Sequence, residues 1–200
     1  RVLVVRAGME EAVATADPDA RLVVLPGVTE GQAITCAAAA PELDPDLPLL
    51  VSNSDHGMSW DDARWNALLA DGPDVVVWGQ RGYPGSVRTP KAFAWIATAP
   101  GTDRVARVSV KEPLSDRPRG DLLLPGTFWF RRPALMLDAV RELVARDLRV
   151  NGEFYLDSVV NVCVEQGLAV RAFEADGYLC WGTPDALREY EWWYRCFSGL

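Results

Sequence analysis

The stretch Leu49-Leu50-Val51-Ser52-Asn53-Ser54-Asp55-His56-Gly57 is an apolar run of strand length that ends abruptly in polar residues. Open α/β sheets bind ligands beyond the carboxyl ends of their strands, so an acidic side chain just past such a run faces the site. Asp55 is therefore the first candidate for chemistry. Its carboxylate suits a hard divalent cation such as magnesium, which takes oxygen ligands and shares them with phosphates. The competing reading makes Asp55 a cap for the turn into the next helix, a role aspartate fills often. His56, the single histidine of the chain, reads as a solvent-facing turn residue.

Outward from this run, short β-branched segments alternate with longer amphipathic ones, the pattern of a mostly parallel mixed sheet flanked by helices in an α/β domain. The expected strands are 2–6, 21–25, 48–52, 74–78, 92–96, 104–110, 124–130 and 169–173. The expected helices are 8–16, 31–40, 61–70, 133–146, 153–166 and 184–197. Thr29-Glu30-Gly31 and Ser59 stand where helices start, Pro133 and Pro184 suit first turns, and Gly167 suits a helix end. Segment 79–91, rich in Gly, Pro, Arg and Ser, reads as either a surface excursion or a functional loop. With 200 residues and no internal repeat or low-complexity linker, a single domain over 1–200 is expected.

The net charge of −8 argues against broad binding of nucleic acid or anionic membranes but leaves small anionic ligands open. Cys36, Cys163, Cys180 and Cys196 form no C-x-x-C pair, so neither a zinc site nor a disulfide framework is indicated, and a cytoplasmic protein is expected. No apolar run approaches the ~20 residues that span a bilayer. One histidine and no G-x-S-x-G elbow leave little material for a hydrolytic triad. Tyr190-Glu191-Trp192-Trp193-Tyr194 lies on an expected helix, where its aromatics cannot all face one side; some should meet a partner, and a homo-oligomer is compatible with this.

Six elements in order then become specific: Thr29-Glu30-Gly31-Gln32-Ala33, Ser52-Asn53-Ser54-Asp55, Val110-Lys111-Glu112-Pro113, Gly126-Thr127-Phe128-Trp129-Phe130, Asn151-Gly152-Glu153-Phe154-Tyr155 and Gly182-Thr183-Pro184. Together they resemble the sugar-1-phosphate nucleotidyltransferase family over most of the chain. The resemblance implies a Rossmann-like GT-A fold and an enzyme that joins a sugar phosphate, or a related phosphate or phosphonate, to a nucleoside triphosphate with release of pyrophosphate, using magnesium.

By the same resemblance Gly31, Gln32 and Asn53 are the nucleotide-binding residues, and Asp55 is the metal ligand. Lys111 holds the sugar phosphate, and Gly126, Thr127, Glu153 and Tyr155 contact the sugar. Ordinary structural roles compete: a helix start for Gly31 and Gln32, a surface lysine paired with Glu112 for Lys111, a strand bulge for Gly126, a first-turn glutamate for Glu153 and a core ring for Tyr155.

The chain departs from the family in three places. Lys111-Glu112-Pro113 stands where Glu-Lys-Pro is usual. Leu179-Cys180-Trp181 stands where many members carry a second metal-binding aspartate, which leaves Asp176 or Asp185 as substitutes. The family's Gly-rich triphosphate loop has no counterpart, and the expectation is that the first strand, this loop and the first helix lie upstream of Arg1. Two other readings are a GT-A glycosyltransferase with Asn53-Ser54-Asp55 as a variant acidic triplet, and a non-catalytic nucleotide- or sugar-binding domain.

Overall fold

The computed structural model describes residues 1–198. The elements run β1 (Val2–Arg6), α1 (Glu10–Ala16), β2 (Arg21–Leu25), α2 (Gln32–Ala37), β3 (Leu49–Ser52), β4 (His56–Ser59), α3 (Asp62–Ala70), β5 (Val75–Gly79) and α4 (Gly85–Arg88). They continue with β6 (Ala94–Thr98), β7 (Val105–Val110), β8 (Leu122–Leu124), β9 (Thr127–Phe130), α5 (Pro133–Ala145), α6 (Leu156–Glu165), β10 (Val170–Glu174), β11 (Gly177–Cys180) and α7 (Pro184–Phe197).

The four-stranded sheet has the order β10-β5-β9-β3. β10 is parallel to β5, whereas β9 is antiparallel to both β5 and β3. Three strands thus run one way and β9 opposes them. β5 is buried along its whole length, and its alternation divides the core. Val75 and Val77 point into the larger cluster with Phe128, Phe130, Met136, Leu143 and Val159. Val76 and Trp78 point the other way, toward Trp65, Leu68, Trp129 and Phe173. The three layers are α2, α5 and α6, then the sheet, then α3.

A second, antiparallel sheet, β7-β6-β8, joins the first through a bridge between Gln80 and Leu123. β1 and β2 form a separate parallel pair, and neither they nor α1 contain a buried residue. Helix α7 likewise buries none: Tyr190 meets Trp181 with ring centroids 5.1 Å apart, while Trp192, Trp193, Tyr194 and Phe197 are exposed. All four cysteines are free. Among the described residues no helix is long and apolar enough to cross a membrane.

Several local expectations change. The strand expected over 124–130 is two strands, because Pro125 offers no backbone donor and Gly126 has φ +98°. Helix α3 is capped by Asp61, which accepts from the Ala63 and Arg64 amides at 2.7 and 3.3 Å, and not by Ser59, which belongs to β4. Helix α2 ends at Ala37, and α6 starts at Leu156 after Tyr155. Gly167 does end its helix, at φ +77° with its amide on Val164 O. The 79–91 segment contains α4, and the antiparallel pair β4–β11 has no counterpart among the expected strands.

Candidate active site

One cleft of about 790 Å³ opens beyond the carboxyl ends of β3 and β5. α4 supplies one wall, the start of α7 another, and the segments around Lys111 and Tyr155 a third. Of the residues singled out from sequence, Gln32, Asn53, Asp55, Lys111, Gly126 and Tyr155 line it; Gly31, Thr127 and Glu153 do not.

Asp55 occupies the turn between β3 and β4 and does not cap a helix, since Asp61 does so. Its side chain is 55% exposed, and its main chain is fixed by the Trp181 amide, which donates to Asp55 O at 2.7 Å. Gly182 keeps one carboxylate oxygen clear: a Cβ there would stand 3.0 Å from Asp55 Oδ2. His56 is a buried residue of β4, not a solvent-facing one. Its Nε2 lies 2.9 Å from Thr127 Oγ1, which in turn lies 3.1 Å from Ser52 Oγ. Burial lowers the histidine's pKa, against the opposing pull of Asp55. Thr127 thus sits beneath the cleft as part of this polar network.

Two residues before Asp55, Asn53 accepts at Oδ1 from Gln32 Nε2, which presents two amides as one surface. Gly31 makes this placement possible from behind. At φ +135° it packs against the main chain of Phe154, with Phe154 N donating to Glu30 O and Ala33 N donating to Phe154 O, both at 2.9 Å. Gly126 faces Asn53 as closely, and a Cβ on it would overlap the Asn53 amide.

Lys111 has φ +64°, a strained conformation for a residue with a side chain. Its Nζ donates to Ala92 O at 2.7 Å and stands 5.2 Å from the Tyr155 ring centroid. Glu112 is instead paired with Lys91, at 3.2 Å. Beside Lys111 lies Asp157, a wall residue that sequence reasoning missed. Burial pushes its carboxyl up to about 7, with Lys111 working in the opposite sense. The available signal was its place in the first turn of α6, two residues after Tyr155. Glu153 is exposed at the rim of this region.

The far wall holds Tyr83, Tyr178 and Cys180, the two tyrosine rings 5.0 Å apart. Burial, followed by the Cys180 thiol, pushes the Tyr83 hydroxyl up to about 12. Cys180 pairs with His56 across the β4–β11 ladder. Of the two substitute aspartates, Asp185 lines the cleft and Asp176 does not. Asp176 is paired with Arg64 at 3.3 Å, and Asp185 with Arg188 at 2.6 Å. Among the described residues no three metal-ligating side chains converge. The donor set therefore fits a hard cation held by one carboxylate, with water and phosphate oxygens completing its shell, as magnesium commonly is. A thiol at 180 adds no affinity for such an ion.

No protein-family model and no curated protein matches the chain. Solved structures do. The nucleoside-diphosphate-sugar pyrophosphorylase of Vibrio cholerae RC9 superposes with a TM-score of 0.74 at 20% identity, over 94% of this chain and 79% of its own. The inositol-1-phosphate CTP transferase of T. maritima gives 0.69 at 17% identity, over 95% and 74%. A Bacillus anthracis protein provisionally named a glucose-1-phosphate thymidylyltransferase, in complex with a sucrose, gives 0.68 at 12% identity, over 97% and 75%. The chain is built on the Rossmann-like nucleotidyltransferase fold that these structures share.

Proposed function

We propose that the protein is a nucleotidyltransferase that joins a sugar phosphate, or a related phosphate, to a nucleoside triphosphate and releases pyrophosphate. The observation that carries this reading is the presence in one cleft of Asp55, Lys111 and the Gln32–Asn53 amide pair. In this reading the amide pair meets the edge of the base, where exchanging donors for acceptors discriminates strongly between nucleotides. Lys111 holds the acceptor phosphate as a compact cation. Gly126, Tyr155 and the rim residue Glu153 contact its sugar, while Gly31 and Thr127 act from behind the wall.

An oxygen of the acceptor phosphate attacks the α-phosphorus in line. One P–O bond forms, the bond from the α-phosphorus to the bridging oxygen breaks, and that oxygen leaves with pyrophosphate. No side-chain nucleophile is required, because positioning and electrostatics account for such chemistry. Asp55 would hold magnesium shared with the substrate phosphates, which supplies neutralisation of the charge developing on their oxygens.

Pyrophosphate release tests the reading, measured with magnesium over a panel of nucleoside triphosphates and sugar 1-phosphates. Release that needs both substrates and falls at least about 100-fold in Asp55→Asn is expected, a loss typical of removing a group that stabilises transition-state charge. Silence across the panel, with nucleotide binding intact, would reject the transferase reading.

A further inference from the structure

His56 Nδ1 is one of few buried polar side-chain atoms without a hydrogen-bond partner, and it belongs to the only histidine in the chain. Buried polar atoms are nearly always satisfied, so an orphan next to a functional group calls for a reason. The acceptor it faces is Asp55 Oδ1, 3.7 Å away. That is beyond a hydrogen bond, but less than about 1 Å of travel by the exposed carboxylate closes the gap to about 2.8–3.0 Å.

Two tautomers are chemically consistent with the other side of the ring. If Nε2 carried the proton, it would donate to Thr127, and the bare Nδ1 lone pair would face a carboxylate in a buried site with no donor. If Nδ1 carries it, Nε2 accepts from the Thr127 hydroxyl, Thr127 accepts from Ser52, and the proton points at Asp55. The second arrangement removes the repulsion and satisfies the orphan.

We propose that His56 is a positioning residue for Asp55: with Nε2 accepting from Thr127, it donates from Nδ1–H to Oδ1 and leaves Oδ2 turned toward the cleft. The surroundings agree on both counts. The Asp55 main chain is already clamped by Trp181, so only its carboxylate is left to orient. Oδ2 lies over Gly182, where the missing side chain leaves it accessible. The imidazole therefore sets which oxygen a cation meets, as outer-shell partners commonly do for metal-binding groups. This rests on the metal reading of Asp55 made above, but the tautomer itself does not.

Because the chain has a single histidine, a two-bond 1H–15N correlation spectrum of the labelled protein at neutral pH reads this one ring without ambiguity. The expected pattern is a protonated Nδ1 and a bare Nε2, with the preference weakened in Asp55→Asn. A protonated Nε2 overturns the proposal. Manganese, presented as its complex with a non-hydrolysable nucleoside triphosphate and followed by electron paramagnetic resonance, supplies the second readout. His56→Gln, whose amide replaces Nε2, should weaken binding at least about tenfold, the usual effect of losing an outer-shell partner. His56→Asn, whose amide replaces Nδ1, should keep it within about threefold. Equal manganese affinity in wild type and His56→Gln, with both melting cooperatively, overturns the positioning role. If wild type bound no manganese at all, the metal reading of Asp55 would fall and the positioning of a metal ligand with it, whereas the spectrum would still decide whether His56 donates to Asp55.

Discussion

Gly31→Ala should damage this protein more than any other substitution so small at a site outside the cleft wall. Gly31 has φ +135° and ψ 173°, a region that essentially only glycine occupies, at a cost to other residues of about 1–3 kcal/mol. An added Cβ would also stand 2.6 Å from Phe154 N and 2.9 Å from Phe154 C, both backbone atoms that cannot rotate away. Relief requires the 30–33 segment to move off Phe154. That stretches the hydrogen bonds Phe154 N to Glu30 O and Ala33 N to Phe154 O, now 2.9 Å each, at about 1 kcal/mol apiece. The total is about 3–5 kcal/mol, which lowers Tm by about 10 °C for a chain of this length. Gly152→Ala is the control. It too sits at positive φ, +83°, but a Cβ there meets nothing within 4 Å, so only the backbone preference is lost, about 1 kcal/mol. Thermal melts of both variants and wild type by circular dichroism decide the matter. A Gly31→Ala protein that melts within about 2 °C of wild type, or with Gly152→Ala, would refute the close-approach argument.

Two further outcomes follow from the packing. Asp157 has a folded-state pKa raised to about 7, mainly by burial. The folded state therefore holds a proton that the unfolded state releases near pH 4, and stability from this group is lost as pH rises through 7. Asp157→Asn removes the dependence, so its unfolding free energy from urea titration should match wild type near pH 4 and exceed it at pH 8; equal values for the two proteins at both pH values would reject the assignment. Trp78, 1% exposed, packs 4.6 Å from Trp65 and 5.8 Å from Phe173, but its buried Nε1 has no partner. Trp78→Ala should therefore cost about 3–5 kcal/mol in urea denaturation, and Trp78→Phe markedly less, because it deletes the unpaired N–H along with part of the ring.

The parts readable from sequence were those whose signal is local. Val75-Val76-Val77-Trp78 announces a strand buried on both faces, and Pro133, Pro184 and Gly167 mark helix ends by backbone chemistry alone. Asp55 stands out because an apolar run stops just before it. What stayed hidden depends on distant partners. β4 is His-Gly-Met-Ser, with no strand pattern of its own, and exists because it pairs with residues 177–180 more than a hundred positions away. That pairing takes His56 out of solvent and brings Cys180 to the cleft. Asp157 was hidden for a related reason. On the helix it reads as a first-turn carboxylate, and only the fold of the Lys111 segment turns it into a cleft residue.

The charges of the cleft are compatible with the proposed phosphate substrates although the chain has a net charge of −8. Its wall carries two cations, Arg88 and Lys111, against Asp55, Asp157, Asp185 and Glu189. This acidity is less than the count implies. Asp185 is paired with Arg188, and burial pushes the Asp157 carboxyl up to about 7. In the proposed reaction Asp55 is the acid whose charge would serve the chemistry, since a cation bound there would reverse the local sign for an incoming triphosphate. Lys111, held by Ala92 O and lying over Tyr155, would in the same proposal receive a second phosphate. The two anions are then received by different means, one through an exchangeable ion and one through a fixed ammonium. That division suits a reaction that must bring two phosphates together and let pyrophosphate go, because the charge holding the triphosphate can depart with the product.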